Sequence, residues 1–305
     1  MKVVPIPLSK EYEKHSDITP DDIARLREWL KTQPHLPEQH ITDLDLILTY
    51  HCCKKSSEVT KQVLDLHYTL RTLFTQYFKD RCFSNTTEHV LNSVLIAPLQ
   101  QPTEKGYRVI YARLLDADPK NFWFAESITT SMMMLDLWQC EEGTWPGFVI
   151  AIDMDKAVVG HLARIDITTL RQVLYFLQEA MLVKLRSVHF LNAPAWMDKV
   201  MMLLKPFVRK ELLDMLQIHQ IGSETIYKFI PKESFPKENG GNYKSYKEIG
   251  GKNRDCNIIE EFNNTEFFVE ENKKRVQESL RPDGKKSKAA EAFGVEGSFK
   301  KLDID

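Results

Sequence analysis

The chain has 305 residues, 43% of them hydrophobic and 28% charged, a composition that fits a globular protein and excludes a fibre or a disordered tail. A chain of this length supports one large domain or two smaller ones and buries about three-quarters of its unfolded surface, which leaves room for an internal ligand cavity. Lys plus Arg number 41 against 43 Asp plus Glu, so the net charge of -2 gives no general attraction for nucleic acid, and an anionic partner must be held by a local patch.

The amino terminus, Met1-Lys-Val-Val-Pro-Ile-Pro-Leu-Ser, lacks the apolar core of a secretory signal, and no segment approaches the roughly 18 apolar residues of a spanning helix. Cys52, Cys53, Cys82, Cys140 and Cys256 are odd in number and show no C-x-x-C spacing, which speaks against a disulfide framework and a structural zinc site. The expectation is a cytoplasmic protein with reduced thiols.

Thr19-Pro20-Asp21-Asp22 predicts a helix start: a hydroxyl cap, a proline where its missing N–H costs nothing, and acids that complement the dipole. Ile23, Leu26 and Leu30 follow at helical spacing until Pro34 and Pro37 stop the run. Leu44 to Tyr50 and Ser57 to about Phe78 continue in helical style, so residues 1–80 form a small helical domain. The period then changes. Tyr107 to Leu115 alternates as a strand, and Phe148-Val-Ile-Ala-Ile-Asp153 is a continuous apolar run of the kind buried on both faces of a sheet. Helices over Ser127–Trp138 and Ile167–Leu182 and a third strand at Ser187–Leu191 complete an α/β pattern with a largely parallel sheet over residues 81–245. Residues 246–305 form a polar extension, expected to be partly ordered.

Catalytic signatures are missing. There is no G-x-S-x-G, H-E-x-x-H or G-x-x-x-x-G-K-[ST], no G-x-G-x-x-G follows a strand, and Asp283-Gly-Lys-Lys-Ser-Lys lacks the upstream glycine and strand needed to cradle phosphate. No catalytic residue, cofactor or metal is expected. The informative stretch runs from Asn192 to Leu213, where Trp196, Met197, Val200, Met201, Leu204 and Phe207 recur near one helical face. That spacing fits an ordinary amphipathic helix docked on a sheet, and its Met and aromatic content equally fits a surface facing lipid. Lys184 and Arg186 stand two apart, on one face of an extended segment, and Lys205, Arg209 and Lys210 follow; such a cluster is either a solvated face or a collector of phosphate oxygens.

From about Phe148 to Gly241 the chain resembles the lipid-binding domain of the CRAL-TRIO (Sec14-like) family. The resemblance rests on the strand ending in Asp153, Lys184-Leu-Arg-Ser-Val-His-Phe-Leu-Asn192 with Pro194 after it, Leu204-Lys-Pro-Phe207 and Pro236-Lys-Glu-Asn-Gly-Gly241. Leu66 to Phe74 is similar to a helix of the family's amino-terminal domain, and Phe293 to Asp305 is similar to the tail of invertebrate α-tocopherol transfer protein-like members. The resemblance implies a mostly parallel sheet flooring an apolar cavity, with the helix from about Pro194 to Met215 as its lid. It implies Thr130, Met134, Phe148, Ile152, Ile165, Val173, Phe176, Leu177, Val183, Leu185 and Val188 as pocket lining, with Thr130 meeting a ligand hydroxyl. Met134 stands where tocopherol binders of the family carry a second serine, and Asn239 replaces the tyrosine of the closing Y-G-G. Phosphoinositide contact is implied at Lys184 and Arg186; other headgroup positions match Cys53, Glu211 and Met215, which carry no cation, and Lys205, Arg209 and Lys210 are candidates to compensate.

The resulting expectation is a non-catalytic carrier of a hydrophobic lipid, whether tocopherol-like, isoprenoid or retinoid, that meets phosphoinositide-containing membranes at a basic rim and has no nucleic-acid partner. The alternative is a lipid-sensing adaptor that recruits a protein, as yet undefined, through the basic tail: Lys273, Lys274, Arg275, Arg281, Lys285, Lys286 and Lys288.

Overall fold

The computed structural model describes residues 3–14, 17–249, 263 and 265–282, apart from the side chains of Leu203, Leu204, Phe207 and Lys247. They divide into a helical unit, residues 7–81 with those from 266 onward, and an α/β unit of residues 1–6 and 82–265.

The helical unit is built from α1 (Leu8–Lys14), α2 (Pro20–Lys31), α3 (Asp43–Cys52), α4 (Ser57–Leu73) and α5 (Thr75–Phe78). Its starts are set by side chains. Thr19 accepts from the Asp22 N–H at 3.2 Å while Asp22 accepts from the Thr19 N–H at 2.9 Å, and Thr42 and Asp45 repeat this reciprocal cap at 3.1 and 2.8 Å before α3. The Thr19 N–H bond holds the Asp22 carboxyl below its ordinary range. Ile23, Leu26 and Leu30 form the buried stripe of α2 against Leu46, Ile47, Leu64 and Tyr68. The helix expected from Ser57 to Phe78 is divided at Phe74, whose ψ of 62° leaves the helical region.

The expected extension over 246–305 also divides. Tyr246–Ile249 belongs to the α/β unit, whereas the helix Thr265–Lys273 and the turn after it are integral to the helical unit. Lys274 is buried between Asp45 and Glu271, its Nζ 2.8 and 2.5 Å from their oxygens. Burial works against this ammonium, but the two carboxylates outweigh it and hold its pKa well above the ordinary value. Arg275 donates to the carbonyls of Arg71 and Phe78, near the ends of α4 and α5, where backbone acceptors lack helical partners. Burial, with Arg71 and Arg81 nearby, pushes its pKa down to about 10. Val276 enters the hydrophobic core, and Arg281 grips both oxygens of Asp65 at 2.9 and 2.7 Å.

In the α/β unit, α6 (Asn85–Ser93) leads into a five-stranded sheet: β1 (Val94–Pro98), β2 (Arg108–Leu114), β3 (Phe148–Asp153), β4 (Leu185–Ala193) and β5 (Leu216–Gln220). The spatial order follows the chain. β1 is antiparallel to β2 and the remaining pairs are parallel. α7 (Phe124–Glu142) joins β2 to β3; α8 (Val159–Leu162) and α9 (Ile167–Glu179) join β3 to β4; α10 (Met197–Leu204) and α11 (Lys210–Met215) join β4 to β5. Right-handed crossovers between strands in this order carry their helices to one face. The other face packs Val109, Tyr111, Val149, Ala151 and Leu191 against Ile226, Ile230, Phe235 and Ile249 from the segment after β5.

The lid, expected as one helix from about Pro194 to Met215, is two helices joined by a 3-10 turn at Lys205–Phe207. Pro206 has no N–H to donate to the preceding turn, and Arg209 is extended at ψ 155°, so the helix restarts at Lys210. β1 and β5 are strands beyond the three expected, and α7 exceeds the expected Ser127–Trp138 at both ends.

Candidate functional site

Strand register divides the inward residues into two sets. Ile110, Ile150 and Val188 are lateral neighbours, as are Ala112, Ile152 and Phe190, so these positions share the helix-covered face. Ala112, Ile150, Ile152 and Phe190 remain only half-buried although they lie on central strands, and Ile218 on β5 is 39% exposed. Their alternate neighbours on the opposite face, Val109, Tyr111, Ala151 and His189, are fully buried. An apolar wall at the centre of a sheet keeps accessible area only where space adjoins it.

The expected lining residues distribute over the elements that border this wall. Phe148 neighbours Leu185 across β3 and β4; Ile152 and Val188 lie on the wall itself. Val183 is buried in the turn before β4, and Ile165 is half-buried in the turn before α9. Val173 and Phe176 are the buried apolar positions of α9, with Leu177 half-buried beside them. On α7, Met134 and Thr130 are buried, and the Thr130 hydroxyl donates to the Glu126 carbonyl at 2.9 Å, leaving its oxygen able only to accept. In the lid, Met197 is buried, Trp196, Val200 and Met201 are half-buried, and Met202 is 69% exposed. The side chains of Leu204 and Phe207 lie outside the described residues.

The cationic candidates do not form one cluster of equivalent groups. Arg186 donates through Nε and Nη2 to the Pro146 carbonyl at 3.2 and 2.7 Å and lies over the Tyr107 ring. Gly147 makes room for it, since a Cβ there would collide with Arg186 Cγ. Lys184 immediately precedes β4, where its carbonyl accepts the Phe148 N–H at 2.9 Å. Arg209 is tied to α9: its N–H donates to Gln178 at 2.7 Å and its guanidinium pairs with Glu179 at 2.7 Å. Lys205 and Lys210 are exposed. In the tail, Lys273, Lys274, Arg275 and Arg281 are engaged within the helical unit. Lys285, Lys286, Lys288 and the 293–305 stretch lie outside the described residues, as does Cys256.

A polar centre occupies the other ends of the strands. The carboxylate of Asp153, fully buried at the end of β3, accepts from four donors: the Tyr111 hydroxyl at 2.7 Å, Asn192 Nδ2 at 2.8 Å, the Asp155 N–H at 3.0 Å and Asn239 Nδ2 at 3.2 Å. Burial followed by the Asp153 charge pushes the Tyr111 hydroxyl far above its ordinary pKa, so it stays a donor. Arg113 lies 3.6 Å from Asp153, pairs with Asp155 at 2.8 Å and stacks on the Tyr246 ring. Asn239 is presented by a tight turn: Gly240 has φ +74°, and a Cβ at Gly241 would collide with the Phe235 carbonyl. Sequence reasoning marked Asp153, Asn192 and Asn239 as signature positions but assigned them no common role. Above this centre lies a cavity of about 460 Å³ bordered by Arg113, Asp155, Glu224, Tyr227, Glu238 and Tyr246 among others.

A second buried polar chain links β4 to β5. His189 and His219 share a hydrogen at 2.9 Å between Nδ1 and Nε2, and the chain continues to Ser187 at 2.8 Å and Thr225 at 2.7 Å. Burial, then the neighbouring His219, pushes His189 down to about 4; burial lowers His219 as well. Among the described residues no group of three or more His, Cys, Asp or Glu side chains could hold a metal ion, and no helix is long and apolar enough to cross a membrane.

Comparison with known proteins matches residues 92–241 to the CRAL/TRIO domain, the stretch that contains the sheet, the lid and the Asp153 centre. The chain is a CRAL/TRIO domain protein. Residues 15–87 match a second family, described as Pinta-like, UBA domain, a stretch that contains α2 to α5 of the helical unit. An α-tocopherol transfer protein-like protein of Mus musculus is 22% identical over 221 residues, 72% of this chain and 64% of that protein, so the match spans less than two-thirds of the relative's length. Clavesin-1 of Xenopus laevis is 20% identical over 239 residues, 77% of this chain and 72% of that protein. The crystal structure of Sfh5 aligns with a TM-score of 0.46 at 14% identity, covering 83% of this CRAL/TRIO protein and 96% of Sfh5.

Proposed function

We propose that this CRAL/TRIO protein is a carrier that holds a hydrophobic lipid against the helix-covered face of its sheet and transfers it between membranes. The observation that carries the proposal is the contrast between the two faces: half-buried Ile150, Ile152 and Phe190 on one, fully packed Val149, Ala151 and His189 on the other. Burial against such a wall contributes roughly 0.8 kcal/mol per CH₂, so a long acyl or isoprenoid chain needs few polar contacts. Thr130, with its hydrogen already given to Glu126, suits a ligand that brings its own hydroxyl donor. The relative's name supplies tocopherol as one candidate of this kind. Met134 favours a ligand with less polar surface at that point.

Membrane contact in this reading is local and reversible. Met202 offers apolar area on the lid, and Lys184 and Arg186 offer charge to a phosphoinositide headgroup. Native mass spectrometry with lipid extraction, together with transfer between donor and acceptor vesicles, tests the proposal. Retention of one lipid per chain and faster transfer are expected; a chain that keeps no lipid and leaves the transfer rate unchanged refutes it. An adaptor acting through the described tail cations is less well supported, because these already hold Asp45, Asp65, Glu270, Glu271 and Glu278.

A further inference from the structure

The apolar wall is not evenly open. On the helix-covered face of β2, Ile110 and Leu114 are 6% and 8% exposed, and Ala112 between them is the position that keeps accessible area. On β3 both Ile150 and Ile152 keep it; on β5 Leu216 is half-buried and Ile218 is 39% exposed. Interiors are close-packed, so accessible area marks adjoining space. That space tapers from β5, the last strand of the sheet, to a single residue on β2.

One row of lateral neighbours follows the taper. Ile218 pairs with Phe190, Phe190 with Ile152, Ile152 with Ala112 and Ala112 with Ile96, so the five side chains share one face. Ile96, on the opposite edge strand β1, is 3% exposed and closes the row. The row is therefore open at Ile218 and blind at Ile96. Ala112, the smallest side chain in it, stands at the blind end, and its methyl leaves room that a longer side chain would fill. From β2 to β5 the row crosses three strand spacings, about 14 Å. A saturated zigzag with bonds of about 1.52 Å at angles of about 111° advances about 1.25 Å per carbon, so an extended run of about ten to twelve carbons spans the row. Carbons beyond that lie past Ile218, where water reaches them.

Given that the wall holds a lipid, as proposed above, we infer that Ala112 is the end stop of the cavity and fixes the length of apolar chain it accepts at about ten to twelve carbons. The cargo is a lipid that presents one extended chain to this tip and leaves any remainder at the β5 edge. The test is equilibrium dialysis of radiolabelled linear 1-alkanols, from octanol to hexadecanol, against the full chain. Affinity should climb about fourfold per CH₂ and level off at about ten to twelve carbons. Ala112→Leu fills the tip and should move the plateau about two or three carbons shorter, whereas Ile96→Ala opens space behind Ala112 and should move it a similar distance longer. Circular dichroism checks that each variant is folded, and Ala112→Val gives a smaller shift of the same sign if leucine overpacks the tip. A rise that continues to hexadecanol, or a plateau left unmoved by changes at either position, overturns the end stop and leaves the carrier standing. Binding of no alkanol at any length overturns both.

Discussion

Lys274→Met removes a buried ammonium from between two carboxylates and keeps the aliphatic bulk of the side chain. In the native unit Lys274 is 6% exposed, Asp45 15% and Glu271 11%, so the two carboxylates lose their counter-charge at a site where water replaces it poorly. Breaking a buried pair from one side costs about 3–5 kcal/mol, a large part of the stability of a domain this size. For a helical unit of this length that is a fall in Tm upwards of about 12 °C. The deficit also has a pH signature. Burial works to raise the Asp45 carboxyl, but Lys274 and the Thr42 cap outweigh it and hold its pKa below the ordinary value, so in the native chain Asp45 stabilises above its unfolded pKa and loses that contribution only as pH falls through its folded one. With Met at 274 burial dominates, the Asp45 pKa rises above its unfolded value, and the deficit must shrink as pH is lowered from 7 toward 5. Urea denaturation followed by far-ultraviolet circular dichroism at several pH values, with hydrogen exchange assigning the loss to α3 and α4, measures both effects. A cost below about 1 kcal/mol, or one independent of pH, would refute the assignment of Lys274 as the buried counter-charge of the helical unit.

Truncation before Glu266 removes the partners of Asp45, Asp65 and the carbonyls of Arg71 and Phe78 together, so residues 7–81 should lose cooperative unfolding while the α/β unit keeps its exchange protection; unchanged protection of α4 would contradict this. His189, held near pKa 4 by burial and His219, refuses a proton that the unfolded chain accepts at about 6.5. Its stabilising contribution is thus complete above about pH 6.5 and falls by roughly 3 kcal/mol as pH approaches 4, and His189→Gln should flatten that part of the stability profile of the α/β unit. Lys184→Ala with Arg186→Ala should weaken binding to phosphoinositide vesicles most at low salt and leave lipid loading intact, as measured by vesicle sedimentation beside native mass spectrometry; unaltered sedimentation assigns both residues to support of the β3 and β4 ends.

β3 is legible from the residues alone because five consecutive apolar positions, Phe148 to Ile152, run without a polar interruption before Asp153 closes the strand. β5 is not: Leu216-Gln-Ile-His-Gln has two aliphatic positions, and as an edge strand it keeps Ile218 exposed, so the periodic signal is weak. β1 is short, follows directly on α6 and ends at Pro98, which blurs both of its boundaries. The division of the lid follows from a local rule at Pro206, whereas its apolar spacing runs on through the proline and suggests one helix. The Asp153 centre was visible as single residues and hidden as a site, since Asn192 and Asn239 stand 39 and 86 positions away and only the sheet and the Gly240-Gly241 turn bring them together. Lys274 and Asp45 are separated by 229 positions, and no spacing rule links a buried ammonium to a helix cap that far upstream.

The helical unit is closed by a segment that the ribosome supplies late. α1 to α5 leave the exit tunnel first, but Asp45, Asp65 and the open carbonyls after α4 wait for Lys274, Arg275 and Arg281, roughly 185 residues downstream. At about 5–20 residues per second that interval lasts on the order of ten to forty seconds. During it the whole CRAL/TRIO domain is synthesised and can fold, while the earlier-made helices remain short of their final core. The helical unit is therefore finished after the CRAL/TRIO domain, and nascent chains stalled before residue 266 are the species in which chaperone engagement of α2 to α4 should be found.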